Sequence, residues 1–191
     1  MTARSGEQGS AVDMNLTWIN TTQNIQIEAN KERHSIAIVS STKPCNVWGS
    51  VGIDRAVNVG DCKRTSFTFK ITSCCDESPV VHCQIGVASR GVIMTAGGSG
   101  LRFRFPCVAL HFNGYWYSGN KANGYLCEMS LHNSVRMVFE NYKITAFIDG
   151  VEWGSTPDAI FAPLKDSEVE LYPCVCLHGG TSVELIEYTV S

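Results

Sequence analysis

The sequence has no apolar run near the roughly 20 residues that a membrane-spanning helix requires, and no window repeats apolar residues at the spacing of a long amphipathic helix. The best short helical candidate is Asp158 to Leu164, which Pro163 limits to about one turn. Charge is also sparse. Charged residues make up 17% of the 191, the net charge is −3, and the 15 lysines and arginines are scattered, with Arg102 and Arg104 the one close pair on a strand face. Binding to a phosphate backbone needs clustered cations, so neither a nucleic-acid partner nor membrane insertion is expected. Met1 to Asp13 is polar and carries no charged-then-apolar leader pattern. The expectation is an intracellular, cytoplasmic chain with residues 1–13 as a flexible tail and residues 14–191 as a single domain, which suits a 44% hydrophobic chain of this length.

The usual signatures of catalysis and metal binding are missing too. There is no Gly-x-Ser-x-Gly, no Cys-x-x-Cys, and no Glu-x-Asp-x-x-Glu strand of the kind some sandwich-fold glycosidases use. Glu168 and Glu170 share a strand face in the alternation with Val169 and Leu171, but that face is the solvent face, where two acids are ordinary. Cys174, Cys176 and His178 fall in one phase of a strand. Tetrahedral zinc sites draw on turns rather than on one straight strand, so these thiols are expected to pack in a core. The nine cysteines, an odd number set mostly in apolar strand patterns, read as free buried thiols. No catalytic residue, metal or cofactor is expected, and a small-molecule ligand is disfavoured.

What the sequence does contain is a period of two. Phe67, Phe69 and Ile71 alternate with Thr68, Lys70 and Thr72; Cys83, Ile85 and Val87 alternate with His82, Gln84 and Ala88. Leu101, Phe103 and Phe105 alternate with Arg102 and Arg104, and Val135, Met137 and Phe139 repeat the pattern. Such alternation marks strands with one buried face. Asn113-Gly114, Asn123-Gly124 and Asp149-Gly150 are turn dipeptides and predict hairpin corners. In the last strand Val183 and Leu185 share a face while Ile186, Tyr188 and Val190 continue in the opposite phase, which predicts either a bulge near Leu185 or burial of both faces as the strand passes to the other sheet. Many short strands between such turns predict an all-β fold, a sandwich or a barrel.

The order of particular blocks narrows that prediction. Val47-Trp48-Gly49-Ser50-Val51-Gly52, Val57-Asn58-Val59-Gly60, Phe67 to Ile71, and Gln84-Ile85-Gly86-Val87-Ala88-Ser89 are followed by Val108-Ala109-Leu110 with Gly114-Tyr115-Trp116. Lys143 to Gly150 and Glu170 to Leu177 close the series. Together these blocks, over roughly residues 35 to 188, resemble the SPRY (B30.2/SPRY-like) domain family. Where that family carries a Gly-Asp-Val-Ile-Gly-like block, this chain has Asn133 to Glu140.

The resemblance implies a bent antiparallel β-sandwich, a concanavalin A-like jelly roll, with Trp48 in the core. It also implies a non-catalytic protein-protein interaction module that binds a protein or short linear peptide through loops at one end. The positions it points to are Asp54 and Arg55, Arg90 and the segment to Gly100, the ring-rich Tyr115, Trp116 and Tyr117, and Trp153 after the Gly150 turn. Exposed Tyr and Trp bury large area at low entropic cost, which suits them to an interface. The alternative is a carbohydrate-binding module: His111-Phe112-Asn113 resembles the start of the galectin sugar motif, with Trp116 as the stacking ring. Gly97-Gly98-Ser99-Gly100 is expected to be a mobile or closing element.

Overall fold

The computed structural model describes residues 16–20, 25–28, 37–41, 48–57, 64–74, 82–95, 100–101, 105–119, 121–126, 128–165 and 167–191. The expected tail at residues 1–13 and the Gly97 to Ser99 run lie outside them. Among the described residues the strands form two seven-stranded sheets. The first contains, in spatial order, β1 (Trp18–Asn20), β4 (Trp48–Ile53), β13 (Tyr172–His178), β6 (Cys83–Ala88), β7 (Cys107–His111), β8 (Tyr115–Ser118) and β9 (Lys121–Tyr125). The second runs β12 (Val151–Ser155), β11 (Lys143–Ile148), β10 (Ser134–Glu140), β5 (Arg64–Ser73), β14 (Ser182–Val190), β3 (Ala37–Ser41) and β2 (Ile25–Glu28). Every pairing between neighbouring strands is antiparallel.

The period of two explains how the sheets stack. On β11, Ile144, Ala146 and Ile148 point inward, while Lys143, Thr145 and Phe147 lie on the other face. They meet Phe67, Phe69, Ile71, Val135, Met137 and Phe139 from the same sheet and Val51, Ile85, Leu110, Val175 and Leu177 from the other. Phe67 and Phe69 stand edge to face, with ring centroids 6.2 Å apart.

The central strands of the first sheet are also buried on their outer face. A second cluster there joins Ile19, Ala88, Leu101, Cys107, Ala109, Tyr172, Cys174 and Cys176 to Val92 and Ile93 of helix α1 (Arg90–Thr95). The helix packs closely because a Cβ on Gly52 would come within 2.6 Å of Ile93 Cδ1. Ser50 Oγ donates to the Ile93 carbonyl at 2.6 Å, and the Leu101 amide donates to Gln84 Oε1 at 2.7 Å. Burial on both faces accounts for the nearly unbroken apolar run of β13. Trp48, expected in the core, instead packs half-buried against this outer cluster.

The turn and bulge expectations divide. Asp149 and Gly150 take positive φ values of 51° and 82° and form the tight β11–β12 turn. The β14 register shifts between Leu185 and Glu187, the predicted bulge. Asn123-Gly124 is not a corner: it lies within β9, and Gly124, at φ 55°, sits opposite a register shift in β8. Phe105 is exposed beside a cis bond to Pro106 while Leu101 is buried, so the two do not share a strand face. Helix α2 (Asp158–Lys165) is longer than the single turn expected, with Pro163 tolerated in its last turn. Val169 is exposed in an irregular segment rather than on a strand.

Two predictions follow from this packing. Phe69→Ala should lower the unfolding free energy by about 3–5 kcal/mol in urea denaturation; a loss under about 1 kcal/mol would contradict the packed core. Cys83, Cys107, Cys174 and Cys176 are free and buried, and burial raises each thiol pKa, that of Cys83 from 9.0 to about 12. The folded chain therefore keeps protons that the unfolded chain releases, so this contribution is full below pH 9 and is lost as pH rises toward 12. Urea midpoints should fall from about pH 8 to about pH 10.5, and Cys83→Ala should flatten that slope. A slope unchanged by the substitution would refute the assignment.

Candidate functional site

Strand register decides which candidate residues can meet. Gly52 pairs with Cys174, Ala88 with both Tyr172 and Cys107, so Asp54, Arg90 and Tyr172 cluster at one end of the first sheet. Trp48 pairs with His178 and Gln84 with His111, which puts His111 and the Asn113-Gly114 turn at the opposite end.

At the first end, Arg90 opens α1 directly after β6 and its guanidinium forms an ion pair with Asp54, which follows β4. The same guanidinium carbon lies 5.2 Å from the centroid of the Tyr172 ring. Tyr172 in turn donates its hydroxyl to Glu170 Oε2 at 2.6 Å. That hydrogen bond, with burial, holds the phenol pKa above its usual value against the lowering pull of Arg90. Arg55 is exposed, and its charge acts on the Tyr188 phenol, which is not one of this group.

Among the described residues, segment 167–170 separates two open grooves at this end. The larger, about 430 Å³, has Ser89, Arg90, Gly91 and Tyr172 on one wall and Glu168, Val169 and Glu170 on the other. The second, about 340 Å³, lies between the same acids and Ala56, Val57 and Tyr142. Sequence reasoning did not pick out Tyr172. It did single out Glu170, as half of a carboxylate pair, whereas the structure uses it to fix a phenol.

The Tyr115-Trp116-Tyr117 triplet is a strand rather than a loop, so its side chains alternate. Trp116 is wholly buried between the sheets, which corrects its expected role as an exposed anchor. Tyr115 is 39% exposed and its ring lies 5.1 Å from that of Tyr125, which is 55% exposed. Trp153, 43% exposed, is on the edge strand β12. Its neighbour Gly154 faces Leu126: a Cβ there would be 2.9 Å from Leu126 Cδ2. Tyr115 and Tyr125 thus form an exposed pair on β8 and β9 of the first sheet, and Trp153 is exposed separately on β12 of the second, and none of the three lines the Arg90 groove. The expected residues therefore do not share one pocket.

The galectin-like trio is not assembled. His111 is buried on the outer face of the first sheet, with ring centroids 4.1 Å from Phe112 and 5.4 Å from Tyr117. Asn113 is occupied locally, accepting from the Tyr115 amide and donating to the Tyr117 hydroxyl, each at 3.3 Å. Trp116 points to the opposite face. Among the described residues no helix is long and apolar enough to cross a membrane.

No family model and no curated protein matches the sequence. Solved structures do match. The SPRY domain of human HERC1 is 15% identical with a TM-score of 0.56, over 85% of this chain and 94% of that one. The TRIM65 PSpry domain is 13% identical with a TM-score of 0.59, over 91% of this chain and 90% of that one. The carbohydrate recognition domain of Emp46p is 11% identical with a TM-score of 0.53, over 92% of this chain and 87% of that one. At such identities the likeness is one of fold. The chain has the antiparallel sandwich fold of SPRY domains, which lectin-like carbohydrate recognition domains share.

Proposed function

We propose that this chain is a non-catalytic binding module that takes an extended segment of a partner protein in the groove at the Arg90 end. The observation that carries this reading is the network of Asp54, Arg90, Tyr172 and Glu170. Three separate stretches of chain fix a guanidinium and a ring at the rim of an open groove before any partner arrives. Preorganisation of this kind lowers the entropic cost of binding.

The groove is polar, and Asp54 pairs with Arg90 while Glu168 and Glu170 stand on the facing wall, which suits a segment bearing a basic side chain. Tyr115 with Tyr125 gives a second exposed aromatic surface that a larger partner would also cover. A non-catalytic role fits the side chains: Glu170 is engaged by Tyr172, and the four buried thiols are held protonated. The carbohydrate reading shares the fold but lacks the geometry of its own trio.

A partner retained from the source cell, cut into overlapping peptides, tests the proposal by fluorescence anisotropy. One segment should bind, Arg90→Ala should weaken it about tenfold or more, and thermal unfolding should stay close to wild type. Trp153→Ala should leave the peptide affinity unchanged. Failure of every segment to bind, or equal affinity for Arg90→Ala, would overturn the groove. Trp116→Ala is no probe of binding, because emptying that core position costs about 3–5 kcal/mol of stability.

A further inference from the structure

Three of the five histidines, His82, His111 and His178, gather at the end of the first sheet opposite the groove. His178 ends β13 and His82 immediately precedes β6. The His178 amide donates to the His82 carbonyl at 3.1 Å, which continues the β13–β6 ladder beyond the Leu177–Cys83 pair. The two are therefore cross-strand neighbours whose side chains leave the same sheet face.

Their ring centroids are 5.1 Å apart, with planes inclined at 57°. Two imidazoles that each place a nitrogen about 2.0–2.1 Å from one tetrahedral ion have centroids about 5.2 Å apart. His178 Nδ1 is buried and has no hydrogen-bond partner among the described residues. Phe112 stands edge-on to His82 at 4.8 Å and Trp48 lies 5.0 Å from His178, an apolar surround that strengthens ion–ligand contacts. Burial lowers the pKa of both imidazoles, and for His178 the neighbouring His82 adds to the effect, so both are neutral ligands at pH 7.

We propose that His82 and His178 form a two-imidazole site for a divalent d-block ion of the zinc and nickel class, its remaining positions not filled by side chains among the described residues. Among the described residues no third histidine, cysteine or carboxylate completes a cluster. His111 is walled off by its contacts with Trp48, Phe112 and Tyr117. The ion would consequently be held weakly by this chain and would keep positions for ligands from outside it. Imidazole nitrogen favours zinc or nickel over magnesium, which prefers oxygen.

Calorimetric titration of nickel into the reduced full chain tests this. One ion should bind per chain, with affinity reduced at least tenfold in His82→Gln and in His178→Gln, unchanged in His132→Asn, and no binding of magnesium. Paramagnetic broadening in the wild-type chain supplies a readout independent of any variant's folding: the ring signals of His82 and His178 should broaden first. Absence of nickel binding at millimolar concentration, undiminished binding by both variants, or broadening centred elsewhere would overturn the proposal.

Discussion

The organisation of this molecule depends on the first sheet being buried on both faces. β13 sits between β4 and β6 with Val175 and Leu177 turned to the intersheet core and Cys174 and Cys176 turned outward, and all four are buried. Outward burial requires a cover, and α1 supplies it through Val92 and Ile93. The helix lies close because Gly52 leaves room for Ile93, and Ser50 caps the contact with a hydrogen bond. Arg90 is the first residue of that helix. Its place beside Asp54 and over Tyr172 is therefore a consequence of apolar packing a turn further on, where desolvation is complete and the geometry is rigid.

That arrangement separates what the fold shares from what this chain adds. Proteins with the same sandwich include SPRY domains and a carbohydrate recognition domain, so the architecture alone does not select a ligand. Three features of this chain's surface stand out: the end groove, the exposed aromatics of the edge strands and the imidazole pair. The groove has the most preorganised polar geometry of the three: an ion pair, a cation–π contact and a short hydrogen bond engage four side chains.

Much of the fold was legible because period-two alternation and turn chemistry are local. Asp149-Gly150 makes its turn because both residues accept positive φ, and the phase break after Leu185 is a bulge. Burial of Cys174 and Cys176 was legible in the apolar setting of the thiols, but their cover was not, because the covering helix is only six residues long. Turn residues flank the Trp116 strand, yet one strand residue before it and two after it suffice to send the ring inward. Asn123-Gly124 carries a hairpin signature but serves a bulge within β9. The groove was half legible. Asp54 and Arg90 were named from a family resemblance, whereas Tyr172 hid in an apolar run and Glu170 in an apparent catalytic pair.

The most direct test of the central claim is a map of amide chemical-shift changes on the isotopically labelled chain as a partner-derived peptide is added. Changes concentrated at Ser89 to Gly91 and Glu168 to Tyr172, with the Phe69 and Met137 core undisturbed, are what a preformed end groove held by the buried first sheet predicts. Changes centred instead on Tyr115, Tyr125 and Trp153, or on the imidazole end, would contradict it.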